Sequence, residues 1–122
     1  MSTLKVSTIQ DTSGNNSSTP AGIASGTAKA WVSFDGTGTV SIKDNFNVSS
    51  ITDNSTGDYT ANFTTAMSNA NYCISGMTMN SNNFIAINSS DTPNTAYIRV
   101  AVRNHDGTDE DSDYVCVCIH TY

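Results

Sequence analysis

Apolar and polar residues alternate along most of the chain after residue 27, which is the pattern of strands that bury one face of a sheet. The first alternating segments flank a glycine-containing turn at residues 35–38 and therefore predict a β-hairpin. Its apolar positions are Ala30, Val32, Phe34, Val40 and Ile42.

A second hairpin is predicted around a loop at residues 53–57, where Gly57 can adopt the positive φ that closes such loops. Its apolar positions are Phe46, Val48, Tyr59, Ala61 and Phe63. Four further strands are predicted at about residues 71–79, 83–88, 95–103 and 113–120. In the last of them, one face carries Val115, Val117 and Ile119, and the other carries Tyr114, Cys116, Cys118 and His120.

The first 26 residues are rich in Ser, Thr, Asn and Gly and contain few side chains that a core could bury. A short strand is expected at residues 3–10, and its apolar residues Leu4, Val6 and Ile9 are candidates for docking onto a partner. We therefore expect an extended N-terminal arm over residues 1–26 and one β-domain over residues 27–122. Seven or eight short strands predict an all-β fold, either an antiparallel β-sandwich or a small barrel.

Composition favours the same fold and excludes several functional classes. Ser, Thr and Asn make up 48 of the 122 residues, whereas the strong helix formers Leu and Glu occur once each. A formal charge of −6 argues against binding to nucleic acid. The chain has neither a secretory signal nor an apolar run long enough for membrane insertion, and its three cysteines, an odd number, indicate folding in a reducing cytoplasm.

Two groups of residues could bind a metal. Cys116, Cys118 and His120 are ligand types that zinc accepts, but a structural zinc site usually takes four ligands from two separated clusters. Packed thiols beside a sheet edge are the favoured interpretation. The acidic segment at residues 104–113 offers oxygen ligands for calcium but does not match an EF-hand, so a solvated hairpin loop is favoured there. No cofactor is expected.

A binding site could instead lie on the distal loops. The predicted loops contain Asp35, Asn54, Asp106, Asp109 and Asp111. A solvated acidic loop tip could contact a partner. The loops around Asp35, Asn54 and Asp106 could instead present a carbohydrate site. Trp31 and the five tyrosines could stack on sugar rings, although packing in a core or interface is the commoner role of aromatic residues.

Catalysis is not expected, because the chain has no recognisable nucleophile–base pattern, no recognisable pair of catalytic acids and no phosphate-binding loop. It contains a single Glu. The outward faces of the last two strands carry unusually large groups for exposed sheet, which either cover the sheet or meet another subunit. These groups are Tyr97, Arg99, Arg103, Tyr114, Cys116 and Cys118.

Several segments resemble tail-fibre-like virion proteins of tailed bacteriophages, especially phages of aquatic bacteria, the cyanobacterial type included. The segments are AKAWVSFDGTGTV at residues 28–40, NVSSITDNSTGDYTANF at residues 47–63, VCVCIH at residues 115–120 and LKVSTIQD at residues 4–11. The run AKAWVSFDGTGT carries most of this resemblance, which covers nearly the whole chain.

The resemblance implies a structural component of the virion, commonly a homotrimer, that is anchored to other virion proteins by its N-terminal segment. Its β-domain would point outward and could contact a glycan of the host surface. Many such fibres are several hundred residues long with shaft repeats, whereas this chain has no internal repeat. A short fibre, a tail-tip adaptor or a capsid-decorating protein would suit its length, and a stand-alone carbohydrate-binding domain is the alternative.

Overall fold

The computed structural model describes residues 1–121, in which ten β-strands and one short α-helix are found. Eight of these strands form the β-domain: β3 (Ala28–Asp35), β4 (Ser41–Phe46), β5 (Val48–Ser55), β6 (Asp58–Phe63), β7 (Cys73–Thr78), β8 (Asn83–Ile87), β9 (Tyr97–Asn104) and β10 (Val115–His120). The N-terminal segment contributes β1 (Ile9–Gln10), β2 (Ser17–Ser18) and α1 (Pro20–Gly26).

The eight strands form two antiparallel sheets that pack as a sandwich, which confirms the predicted fold class. Sheet I has the order β4-β3-β10-β7, and sheet II has the order β5-β6-β9-β8. The hairpins β3–β4, β5–β6 and β8–β9 each stay within one sheet, and the other connections cross between the sheets. The first and last strands of the domain, β3 and β10, are paired at the centre of sheet I.

The core lies between the inner faces of the two sheets, because alternate residues of each strand point inward. The alternation read from the sequence therefore identifies most of the core. The apolar residues of this buried cluster are Ala30, Val32, Phe34, Val48, Tyr59, Ala61, Phe63, Met67, Ile98, Val100, Val102, Val115, Val117 and Ile119.

A sharp corner at Asn47 carries the chain from sheet I into sheet II. Asn47 has a φ of 55°, a left-handed conformation that Asn tolerates better than most residues. Its Nδ2 donates to the carbonyls of Lys29 and Thr65 at 3.0 Å each, and its Oδ1 accepts from the Thr65 backbone N–H at 2.7 Å. This one side chain therefore joins three segments at the edge of the sandwich.

The second hairpin is tighter than the sequence predicted. The expected loop at residues 53–57 is mostly strand, since β5 continues to Ser55 and pairs it with Asp58. Gly57 adopts the predicted positive φ, at 65°. A Cβ at this position would lie 2.5 Å from the Val102 carbonyl oxygen, so the close approach of β9 also requires glycine.

The N-terminal segment is not extended throughout, which corrects the predicted conformation of the arm. The expected strand at residues 3–10 is reduced to Ile9–Gln10, paired with Ser17–Ser18. Helix α1 follows because Thr19 caps it, accepting from the Gly22 N–H at 3.0 Å, and Pro20 occupies its first turn. Every residue from 1 to 27 is exposed.

Candidate functional site

Three loops meet at the end of the sandwich that includes the turn at residues 35–38. The Gly36 N–H donates to the Ser112 carbonyl at 2.8 Å, and the Gly57 N–H donates to Oδ1 of Asp111 at 2.8 Å. Both hairpin turns of the first half of the domain are thus bonded to the segment that leads into β10. This end of the molecule is a connected structure and not a set of independent loops.

Tyr59 is the buried centre of this end. Its ring packs edge-to-face against Phe34 at a centroid distance of 5.1 Å, and its hydroxyl lies 2.6 Å from Oδ1 of Asp111 and 3.0 Å from the Gly36 carbonyl oxygen. Burial and the nearby Asp111 carboxylate raise the pKa of the Tyr59 hydroxyl. A Cβ on Gly36 would collide with that hydroxyl, which explains why glycine stands there. Asp111 therefore acts as an acceptor for internal donors.

The other predicted binding residues are spread over this end and one outer face, and their polar atoms have partners within the chain. Asp109 pairs with Arg103 at 2.7 Å, and Asn54 on β5 donates to the Thr60 hydroxyl at 2.9 Å. Asp35 accepts from both the N–H and the hydroxyl of Thr37, and these bonds lower the pKa of its carboxyl.

Asp106 is an exposed member of the predicted set. Its side chain is 70% exposed and lies 3.2 Å from Nε2 of His105, which is 71% exposed. Asp106, Asp109 and Asp111 all lie on the β9–β10 connection, which bonds to the turn after Asp35, whereas Asn54 lies on β5. A binding role for this set stays a prediction.

The three weak metal candidates lie on the outer face of sheet I. Sγ of Cys118 is 3.9 Å from Nδ1 of His120, and Cys73 on β7 is the cross-strand neighbour of His120. Among residues 1–121, no group of three or more His, Cys, Asp or Glu side chains is arranged to hold a metal ion.

The outward residues of the last two strands belong to different surfaces. Tyr97, Arg99 and Arg103 lie on β9 in sheet II, whereas Cys116 and Cys118 lie on β10 in sheet I. Alternation along a strand shows which residues share one of its faces, but it does not reveal which sheet the strand joins. The large outward groups predicted on the last two strands therefore lie on two different surfaces, and whether either surface meets another subunit stays a prediction.

The outer face of sheet I carries large apolar side chains among short polar ones, Ser33 and Ser75, and the acidic Asp44. In one cross-strand row, Phe46 on β4 lies beside Trp31, which lies beside Cys118. In the next row, Cys116 lies beside Met77 on β7. Phe46 is 54% exposed and Met77 is 72% exposed. The sequence predicted Phe46 in the second hairpin with Val48, but Phe46 lies on β4 of the first hairpin and faces outward. Met77 was not predicted on this surface, because it lies on an edge strand with no local sign of its neighbours.

On the outer face of sheet II, polar side chains bond to one another beside the exposed Phe84 of the edge strand β8. Arg99 forms a two-point ion pair with Asp58, with Nε to Oδ1 at 2.8 Å and the terminal nitrogen to Oδ2 at 2.6 Å. Nδ2 of Asn62 donates to the hydroxyls of Ser50 and Thr52 at 3.1 and 3.0 Å. This face therefore satisfies its own polar groups.

No family model, curated protein or solved structure matches the chain. Within residues 1–121, the structure has no helix with the length and apolar character that crossing a lipid bilayer requires.

Proposed function

We propose that this chain is a virion structural protein of the tail-fibre type, which assembles as a homotrimer and is anchored to other virion proteins by its N-terminal segment. The observation that carries the proposal is the exposure of apolar side chains on the N-terminal segment, where Leu4, Val6, Ile9 and Ile23 are uncovered, and on the outer face of sheet I, where Phe46 and Met77 are uncovered. Exposed apolar surface of this kind marks sites where another molecule binds.

The N-terminal segment supports an anchoring role. Leu4 is 86% exposed and Ile9 is 53% exposed, and no residue from 1 to 27 is covered by the sandwich. Residues 4–11 are also the part of the chain that resembles the anchoring segment of tail-fibre-like proteins. A segment that folds outside its own domain can add its backbone and side chains to a partner's surface.

The proposal includes the absence of enzymatic activity. Support comes from the loop acids, since Asp109 and Asp111 bond to Arg103 and Tyr59 within the chain. These contacts give both acids a role in holding the loop, which accounts for their presence without catalysis.

Particle incorporation tests the anchoring role directly. Deleting residues 1–26 from the chain in an infecting phage should reduce its copy number per purified particle at least tenfold, as measured by quantitative mass spectrometry. The truncated domain should still unfold cooperatively, because no residue from 1 to 27 is buried. A full-length chain with Ile23→Ser is the matched control. Normal incorporation of the truncated chain, or absence of the intact chain from wild-type particles, would refute the proposal.

Labelling on the particle separates the alternatives within this class. Gold-labelled antibody at the tail supports a short fibre or tail-tip adaptor, whereas label over the capsid supports a decorating protein and overturns the tail-fibre assignment.

Carbohydrate binding at the loops around Asp35, Asn54 and Asp106 is the second candidate. The exposed side chain of Asp106 favours it, whereas the internal hydrogen bonds of Asp35 and Asn54 leave fewer groups for sugar hydroxyls. A glycan array with the purified chain tests it, and the absence of any hit at millimolar affinity would rule it out.

A further inference from the structure

The sequence Asp-Gly-Thr occurs twice in the chain, at residues 35–37 and at residues 106–108. Asp-Gly is the pair in which an aspartate cyclises most readily, because glycine has no side chain to hinder attack by its backbone nitrogen on the preceding carboxyl. The first copy begins at the end of β3, and the second lies in the β9–β10 connection. The same three residues therefore stand in two structural environments.

The first copy is held in the connected end of the sandwich. Gly36 is buried, its N–H donates to the Ser112 carbonyl at 2.8 Å, and its carbonyl accepts from the Tyr59 hydroxyl at 3.0 Å. Oδ1 of Asp35 accepts from the N–H and the hydroxyl of Thr37 at 2.8 and 2.6 Å. Bringing the Gly36 nitrogen onto the Asp35 carboxyl would break these bonds and pull Gly36 away from the core residue Tyr59. Such an opening costs a large part of the free energy of unfolding.

The second copy lies on an exposed turn. The Asp106 side chain is 70% exposed, and its Oδ1 lies 3.2 Å from Nε2 of His105, which is 71% exposed. Gly107 is also exposed, and among residues 1–121 no atom beyond its two neighbours in the chain lies within 4 Å of the place where a Cβ would stand. The Gly107 N–H donates to the Asn104 carbonyl at 2.9 Å, a bond that closes a turn of four residues. An exposed turn opens locally at low cost, so this nitrogen is released without unfolding of the sandwich.

We propose that Asp106 is a site of spontaneous covalent modification, where the folded protein converts aspartate into isoaspartate through a succinimide. The fold protects Asp35 from the same reaction. This inference is independent of the virion role, because it rests on the environments of the two Asp-Gly pairs alone.

The reaction needs no reagent other than water. The Gly107 nitrogen forms a bond to Cγ of Asp106 in its carboxylic acid form, the nitrogen loses its proton, the bond from Cγ to the hydroxyl breaks, and one water leaves. One water then opens the succinimide ring. Cleavage between the nitrogen and Cγ restores aspartate, whereas cleavage between the nitrogen and the main-chain carbonyl carbon gives isoaspartate. The net composition of the chain is unchanged, and nothing is oxidised or reduced.

Isoaspartate should change the loop that carries it. The backbone gains one carbon, and the free carboxylate moves onto Cα of residue 106. In the native turn, Oδ1 of Asn104 accepts from the N–H groups of Asp106 and Thr108 at 3.0 Å each. These two bonds fix the spacing of the backbone between the two donors, so a longer backbone should disrupt the turn. The modification would therefore alter the β9–β10 connection as the protein ages.

Ageing of the purified full-length chain tests the proposal. The protein is incubated for weeks in neutral buffer, and isoaspartate is measured with an isoaspartate-specific methyltransferase and radiolabelled S-adenosylmethionine, then assigned by peptide mapping. At least tenfold more isoaspartate should form at position 106 than at position 35. In urea, where the chain is unfolded, the two positions should differ by less than threefold. Equal yields in the folded protein, or a tenfold preference that persists in urea, overturns the proposal.

Two conservative variants test the assignment to Asp106. Asp106→Glu keeps the charge but cannot form the five-membered succinimide, so methyl incorporation into the aged, folded chain should fall at least fivefold. Asp109→Glu makes the same change in the same connection, at an acid that is not followed by glycine, and should stay within twofold of wild type. An unchanged signal in Asp106→Glu, or equal losses in the two variants, would show that the modification lies elsewhere.

Discussion

The two outer faces of the sandwich have similar positions in the fold, but side-chain hydrogen bonds and an ion pair dominate one and exposed large apolar side chains the other. On sheet II, Asp58 and Arg99 form an ion pair in which the Asp58 side chain is 9% exposed, and Asn62 bonds to hydroxyls of the adjacent strand. On sheet I, Trp31, Phe46 and Met77 stand exposed or half-buried. A face whose groups bond to one another is complete in a single chain, whereas an apolar face gains free energy when another surface covers it.

We therefore expect the outer face of sheet II to contribute to folding stability and the outer face of sheet I to contribute to association. Substitutions on sheet II should lower the free energy of unfolding, because they leave buried polar groups without partners. Substitutions on sheet I should change association and leave folding nearly intact.

The largest effect is expected for Asp58→Ala. The substitution leaves the Arg99 guanidinium without its carboxylate, and the free energy of unfolding should fall by about 2 kcal/mol. This loss is smaller than for a fully buried ion pair, because the Arg99 side chain is 28% exposed. Urea denaturation measures the change. Asp44→Ala on sheet I is the control, since Asp44 is exposed on the edge strand β4 and should contribute little. Equal losses of unfolding free energy in Asp58→Ala and Asp44→Ala would contradict the expected difference between the two faces.

The same ion pair should give the stability a defined pH dependence. Hydrogen bonds from Arg99 hold the pKa of Asp58 below its ordinary value of 3.8. A carboxyl with a lowered folded-state pKa stabilises the fold above its unfolded pKa and loses that contribution as the pH falls through the folded value.

The difference in unfolding free energy between wild type and Asp58→Asn should therefore be constant between about pH 5 and pH 8 and narrow below about pH 4. Denaturation curves at a series of pH values measure it. If the difference in unfolding free energy between wild type and Asp58→Asn instead increased as the pH fell, Asp58 would not be stabilised as a carboxylate.

A smaller effect is expected for Asn62→Ala. The substitution removes the donor that joins the hydroxyls of Ser50 and Thr52, and it should cost about 1 kcal/mol of unfolding free energy. Asn45→Ala on β4 is a matched asparagine substitution at an exposed position and should stay within about 0.5 kcal/mol of wild type. Thermal unfolding of both variants would show whether the polar ladder on sheet II contributes to folding.

The smallest effect on folding is expected for Met77→Ser. Met77 is 72% exposed, so the unfolding free energy of the monomer should change by less than about 0.5 kcal/mol. Denaturation at a concentration low enough to dissociate any oligomer measures this value. A loss above about 1 kcal/mol would mean that the side chain packs within its own chain, and the distinction between the faces would then fail.

Helix α1 shows why one part of the fold was not predicted. Its sequence, PAGIASG, contains two glycines and no strong helix former apart from Ala, so propensity gives little signal. The pair Thr19-Pro20 is a recognisable start, because Thr caps a helix and Pro fits its first turn. That local signal was outweighed by the polar composition of the surrounding segment.

The partners of the acidic side chains in the distal loops could not be predicted from the sequence either. The sequence identified Asp111 as an exposed acid of a charged loop, but its Oδ1 accepts from Tyr59, which lies 52 residues away. No local pattern reveals such a partner. The acids of this loop therefore could not be divided into internal acceptors and free groups before the tertiary contacts were known.

By itself, the sequence determined the inward and outward residues of most strands and the glycine-containing turns of the first two hairpins. Both follow from local geometry, since side chains alternate along a strand and a positive φ favours glycine. The tertiary structure alone decided which sheet each strand joins, so that Cys118 lies beside Trp31 and Arg99 beside Asp58. These neighbours are distant in the chain, and contacts between strands depend on pairing and register, which alternation does not specify.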